Sequence, residues 1–255
     1  MSPVLQNKVA IITGGGRGIG KAMALRYAAE GAKLLIPDLN LAWAEEAAKE
    51  IKAKGGEAAA IKTDVSDEKS TEEMAKKAME IYGKVDILVN NAGIWQGVEA
   101  VPWNTWKVED WDRILKVNVT GIWLCCKAIV PLMEKAGSGK IINMASIVAK
   151  VPAGMMFLPY ACSKGAVYTL THALARALGP AGINVNGIAP GLVATEASLS
   201  KAGIDNIYEL AIAEASIARR EGPDDLLGIS VFLASADSDF ISGQVICVDG
   251  GTVMQ

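Results

Sequence analysis

Tyr160 and Lys164 stand four residues apart in Tyr160-Ala161-Cys162-Ser163-Lys164, the spacing that puts two side chains on one face of a helix. A free phenol, with a pKa of about 10, is a poor base near neutrality. An ammonium one turn away stabilises the phenolate and can bring the group toward working pH. Ser146 closes a strand-like run, Lys140–Ser146, and offers a hydroxyl to a substrate oxygen. Such a set suits proton exchange at an alcohol oxygen while a hydride leaves or reaches its carbon. Taken alone, a Tyr-xxx-Lys pair is more often a solvated helix face, so the weight falls on what surrounds it.

A hydride needs a carrier, and the chain holds the parts of a dinucleotide site. The first strand-like run ends in Thr13-Gly14-Gly15-Gly16-Arg17-Gly18-Ile19-Gly20, with a helical pattern behind it. Glycines there permit a tight turn and let backbone N–H groups approach a pyrophosphate at a helix N-terminus. The pattern is Gly14-xxx-Gly18-x-Gly20 rather than GxGxxG. Asp38 closes the second run, 18 positions after Gly20, where a carboxylate can accept bonds from the adenosine ribose. Its charge repels a 2′-phosphate, so NAD is expected over NADP, with Arg17 near enough in sequence to offset part of that repulsion. Asp64 and Val65 follow the third run and are candidates for the adenine edge. Asn90-Asn91-Ala92-Gly93 follows the fourth and places small residues and amides where the chain can pass close beneath a cofactor.

These residues must be positioned by strands that end beside them. Near-continuous apolar runs at Lys8–Thr13, Ala32–Ile36, Glu57–Lys62, Val85–Asn90, Lys140–Ser146, Asn184–Ala189 and Gln244–Val248 read as strands buried on both faces. Helical patterns lie between them, at Ile19–Glu30, Leu41–Lys54, Lys69–Tyr82, Val108–Lys135, Tyr160–Leu178 and Pro223–Ala234. Alternation with short connections predicts a single α/β domain over residues 1–255, a doubly wound Rossmann-type parallel sheet of about seven strands flanked by helices. Function is then expected at the carboxyl ends of the strands, where every motif above falls.

Taken together, Thr13–Gly20, Asn90–Gly93, Ser146, Tyr160-xxx-Lys164, Pro190-Gly191 and Val248-Asp249-Gly250-Gly251 resemble the compact form of the short-chain dehydrogenase/reductase family over essentially the whole chain. The resemblance implies that Tyr160 is the general acid/base and that Ser146 polarises the carbonyl. Lys164 would hold the nicotinamide ribose and lower the tyrosine pKa. Asn118, in Val117-Asn118-Val119-Thr120-Gly121, matches a helix-interrupting asparagine that supports a water-linked proton relay, and asparagine is a mediocre helix former. Ile188, Pro190, Gly191, Val193 and Thr195 would flank the nicotinamide half. In one respect the chain departs: the interval from Ser146 to Tyr160 runs a residue longer than the family's usual spacing.

The substrate side is expected to include Trp95, Gln96 and Met156 along with Ser146 and Tyr160. Trp103, Trp106, Trp111 and the stretch Val151–Leu158 make the same walls apolar, which suits a hydrophobic, cyclic or aromatic secondary alcohol. Residues 194–219 are expected to form a lid. The alternative is an NADPH-dependent biosynthetic ketoreductase, against which Asp38 stands. A nucleotide-binding regulator without chemistry would have no use for Asn118, Ser146, Tyr160 and Lys164 together.

Composition narrows the partners. Of 255 residues 51% are hydrophobic and 21% charged, and the net charge of −3 provides no basic field for nucleic acid or anionic lipid. Cys125, Cys126, Cys162 and Cys247 show no metal-ligand spacing and His172 stands alone, so no metal is expected. Met1–Lys8 lacks an apolar signal core, and no uninterrupted apolar stretch approaches the ~20 residues of a membrane span. A cytoplasmic enzyme is expected, and the resemblance implies a homotetramer.

Overall fold

A computed structural model describes residues 3–95, 97–151, 157–200 and 204–254. The elements alternate as expected: β1 (Val9–Ile12), α1 (Gly18–Ala29), β2 (Lys33–Asp38), α2 (Leu41–Ala53), β3 (Glu57–Lys62), α3 (Glu68–Tyr82) and β4 (Ile87–Asn90). Then come α4 (Val108–Leu115), a π turn (Lys116–Thr120), α5 (Gly121–Ala136), β5 (Gly139–Met144), α6 (Leu158–Leu178) and β6 (Ile183–Pro190). The chain closes with α7 (Glu196–Leu199), α8 (Ile204–Glu214), α9 (Leu227–Ala234) and β7 (Val245–Val248).

All seven strands pair in parallel, in the order β3-β2-β1-β4-β5-β6-β7. The chain winds outward to β3, then returns past β1 to β4. The crevice outside the ends of β1 and β4 is therefore the topological switch point, where such sheets bind ligands. Strand residues alternate between two apolar layers. Ala10, Ile12, Leu34, Ile36 and Val89 pack with α1, α2 and α9, whereas Ile11, Leu35, Leu88, Ile141 and Val185 pack with α3, α5 and α6. Burial on both faces explains why the strands read as continuous rather than alternating apolar runs.

Three local differences from the sequence reading have physical causes. β5 stops at Met144, so Ser146 lies two residues beyond it and caps a short 3-10 turn, Ile147–Ala149. The region expected as a lid holds two helices, α7 and α8, which its weak periodicity concealed. Finally, Val108–Ala136 forms a 29-residue helical run that is long and apolar enough, by length and composition, to cross a membrane. Its Ile122, Cys125, Cys126, Ile129 and Met133 belong to the core layer beneath the sheet, which accounts for the apolarity.

Candidate active site

The glycine-rich turn is locked to the end of β4 by side chains. Thr13 Oγ1 accepts from Asn91 N and Ala92 N, both at 3.0 Å, and Asn91 Nδ2 donates to Thr13 O at 2.9 Å and Gly14 O at 3.1 Å. Gly14 (φ +63°) and Gly18 (φ +55°) occupy left-handed conformations that favour glycine. Gly20 is required for a different reason: a methyl there would overlap Gly14 O and Asn91 Nδ2. Ile19 packs against the core layer above the sheet, fixing the start of α1. Thr195 meets the turn from the other side, its Cγ2 lying 3.6 Å from the direction in which Gly18 would carry a side chain.

Asp38 ends β2 and is 7% exposed, with Oδ2 accepting from Gly16 N at 3.0 Å and Oδ1 from Asn40 N at 3.0 Å. Its carboxylate therefore faces the glycine turn. Asp64 turns back on its own loop, where Oδ1 accepts from Ser66 N at 2.9 Å and Ser66 Oγ at 2.7 Å. Val65 is buried against Gly121, whose missing side chain lets α5 approach. Gly93 lies beside Asn118. On the far side, Pro190 and Gly191 leave β6 next to β7, with Gly191 N donating to Val248 O at 3.1 Å, and Val193 is buried.

Ser146, Tyr160 and Lys164 converge beyond β5. Tyr160 is in the first turn of α6, behind Pro159, and Lys164 follows one turn later. Lys164 is 6% exposed, its Nζ donating to Met144 O at 2.6 Å and lying 5.6 Å from the centre of the Tyr160 ring. Ser146 Oγ donates to Pro190 O at 3.4 Å, which ties the end of β5 to the Pro190–Thr195 segment. Burial pushes the Tyr160 phenol up to about 12, with the hydrogen bond to Ser146 acting the other way. Burial likewise lowers Lys164 to about 8. Burial dominates both groups in this arrangement, disfavouring the charged form of each.

Asn118 sits at the centre of the π turn and is 1% exposed. Its Oδ1 accepts from Ile94 N at 2.7 Å, while Nδ2 donates to Ile94 O at 3.2 Å and Ser163 Oγ at 3.1 Å. Ser163 Oγ in turn donates to Tyr160 O at 2.7 Å. The asparagine therefore braces both the segment after β4 and the turn that carries Tyr160. Ser163 escaped the sequence reading because a buried serine inside a helix has no motif of its own.

On the substrate side, the Trp95 ring lies 4.8 Å from that of Tyr160, tilted by 54°, and 5.0 Å from that of Phe157, edge-on at 62°. Phe157 belongs to the Val151–Leu158 stretch expected to wall this side. Gln96 and Met156 lie outside the described residues. Trp103 is 75% exposed and so takes no part in an enclosed wall, while Trp106 and Trp111 are half-buried. At the start of the expected lid, Thr195 caps α7, and Tyr208 from α8 reaches back to Val193 O (3.0 Å) and Ser198 Oγ (2.9 Å).

These residues fit a nicotinamide dinucleotide. Methyl groups at Gly14 or Gly20 would strike the turn and the end of β4, and one at Gly16 would strike Trp43, so this turn can pack so closely only with glycine. Glycine turn, a carboxylate closing β2 and a Ser/Tyr/Lys cluster on one parallel sheet suit an oxidoreductase that uses a nicotinamide cofactor. The sequence profile described as enoyl-(acyl carrier protein) reductase matches residues 14–253. A galactitol 2-dehydrogenase from Agrobacterium fabrum is 41% identical, over 98% of this chain and 99% of its own length. A 3-oxoacyl-[acyl-carrier-protein] reductase from Synechocystis is 37% identical over 98% of each chain. A crystal structure of a candidate NAD(P)-dependent gluconate 5-dehydrogenase from Beutenbergia cavernae, with NADP bound at low occupancy, superposes with a TM-score of 0.90. It is 34% identical over 99% of both chains. The chain belongs to the short-chain dehydrogenase/reductase family.

Proposed function

We propose that the protein is an NAD-preferring dehydrogenase of hydrophobic, cyclic or aromatic secondary alcohols. The observation that carries this reading is the meeting of Ser146, Tyr160 and Lys164, with the Tyr160 ring packed on Trp95 and Trp95 on Phe157, and with Asp38 at the end of β2. When bound, the nicotinamide supplies or accepts the hydride. Tyr160 gives its proton to, or takes one from, the substrate oxygen, and Ser146 donates a hydrogen bond to that oxygen. A phenol held up to about 12 is a ready donor in the reducing direction. In the oxidising direction it needs positive charge nearby, which the Lys164 ammonium supplies and the oxidised nicotinamide adds to. Asn118 supports the proton path by fixing the Tyr160 turn through Ser163. Gly14, Arg17, Gly18, Ile19, Gly20, Asp38, Asp64, Val65, Asn91, Ala92, Gly93, Pro190, Gly191, Val193 and Thr195 line the cofactor cleft in this reading.

Cytoplasmic residence and assembly as a homotetramer belong to the same proposal. The exposed Trp123 on α5 and the edge strand β7 offer faces for subunit contacts. One observation favours the second reading, an NADPH-linked ketoreductase: the Arg17 guanidinium lies over the Trp43 ring, and Arg17 follows Gly16, whose N–H binds Asp38, with a charge suited to a 2′-phosphate. Initial rates followed by nicotinamide absorbance, with NAD and NADP, on cyclic and aromatic alcohols and on linear polyols separate the two. The proposal expects NAD-linked turnover of the cyclic set, lost by about 10³-fold in Tyr160→Phe, with NAD affinity kept. Turnover with NADP(H) alone, on polyols alone, or by Tyr160→Phe at the normal rate overturns the corresponding part.

A further inference from the structure

An acid and a base adjoin the glycine turn: Asp38 binds Gly16, and Arg17 is the next residue in the chain. The Asp38 carboxylate is held by Gly16 N and Asn40 N. Across Gly16 lies Trp43, whose Cβ is 2.7 Å from the point where a side chain on Gly16 would begin. Trp43 occupies the first turn of α2 and its backbone N–H donates to Asn40 Oδ1 at 3.4 Å, so the helix start fixes where the half-exposed indole leaves the chain. Over its face lies the Arg17 guanidinium, the central carbon 4.1 Å from the ring centroid.

We propose that Trp43 sets cofactor selectivity from outside the chemistry: its indole seats Arg17 beside the ribose site, so that a 2′-phosphorylated adenosine meets a positive charge already in place. The inference rests on reading Asp38 as the ribose carboxylate. Asp38 disfavours the 2′-phosphate by charge, and the seated guanidinium returns part of the loss. The outcome is a site that prefers NAD yet retains a tolerance for NADP. An unseated arginine would have to surrender its rotamer freedom on meeting the phosphate. Removing the seat should therefore weaken binding of a 2′-phosphate by about three- to tenfold. A ligand without that phosphate gains nothing from the seat and should not respond.

The test is titration calorimetry on the intact chain with two nicotinamide-free probes, ADP-ribose and 2′-phospho-ADP-ribose. Trp43→Leu should weaken the phosphorylated probe by about three- to tenfold and leave ADP-ribose within about twofold, whereas Trp43→Phe keeps a seat and most of the affinity. In an Arg17→Ala background, Trp43→Leu should have no further effect on either probe. Equal weakening of both probes by Trp43→Leu, tighter binding of the phosphorylated one, or an undiminished effect without Arg17 overturns the proposal. Asp38→Ala, measured alongside, tests the underlying reading by itself. If it leaves the preference for ADP-ribose unchanged, the assignment of Asp38 fails, whatever Trp43 does.

Discussion

At the adenosine end of the cleft, polar side chains are committed to the fold. Thr13 and Asn91 bind the glycine turn to β4, and Asp38 binds Gly16. The substrate end is assembled differently. It presents aromatic faces, Trp95 and Phe157, carried on connecting segments rather than strand ends. It also stores unfavourable burial: Lys164 is lowered to about 8 and Tyr160 is raised to about 12. One end is over-determined by hydrogen bonds, as a site for an invariant ligand can be. At the other, chemistry requires groups held against their own preference, and specificity is left to surfaces that can be exchanged.

The largest effect should come from breaking the over-determined end. Gly20→Ala places a methyl into Gly14 O and Asn91 Nδ2, neither of which can yield without undoing the lock on β4. Overpacking of this kind costs about 3 kcal/mol, so denaturant unfolding should show a loss near that size and cofactor affinity should fall with it. Gly93→Ala, at the substrate end, puts its methyl 3.3 Å from Asn118 Oδ1. That contact asks for a shift of only a few tenths of an ångström, and stability should change by less than about 1 kcal/mol. Equal losses in the two variants would erase the proposed difference between the ends.

The same contrast decides how much could be read from the sequence. The cofactor end was legible because backbone geometry dictates residue type there: left-handed glycines at Gly14 and Gly18, and an acid at the close of β2, leave few substitutes. The Tyr160–Lys164 pair was legible through helix periodicity. Phe157 was legible only as part of the Val151–Leu158 wall, and Ser163 was not, because a serine under a helix looks like any core residue until the chain is folded. Nor was the rise of the Tyr160 pKa, since burial is a tertiary property while the lysine's proximity is local. The two helices of residues 194–219 went unread because neither Glu196–Leu199 nor Ile204–Glu214 is long enough to display a clear apolar face.

Glu221 sharpens the account of stored burial. Its backbone bridges Val193 and its O accepts from Ala194 N at 2.8 Å, so it braces the segment leading to Thr195. Burial raises its carboxyl from 4.5 to about 8; Asp225 and Asp249 push the same way, and Gly191 N–H and Arg219 oppose them. The native state therefore holds a proton that the unfolded chain releases, and this group's contribution to stability declines as pH rises from about 4.5 to about 8. Glu221→Gln removes that decline. After allowance for partial solvent screening, the variant should gain about 2 kcal/mol over the parent near pH 9 and almost nothing near pH 4.5. Urea unfolding at the two pH values reads the difference, and a gap that does not change with pH would mean that the carboxyl ionises freely in the fold.

Trp95→Ala should produce the smallest change in stability and the most selective change in function. The ring packs on Tyr160 and Phe157. Its removal opens a wall rather than a core, so unfolding should shift by about 1 kcal/mol at most. Loss of one aromatic contact should raise KM for a cyclic or aromatic alcohol by about tenfold, while a linear alcohol too small to reach the ring is little affected. Cofactor affinity should stay the same, because Asp38 and the glycine turn lie at the other end of the cleft. The informative failure is a fall in kcat for every alcohol with KM unchanged. Trp95 would then act through the tilt of the Tyr160 ring rather than on the substrate, and the substrate end would be as tightly determined as the adenosine end.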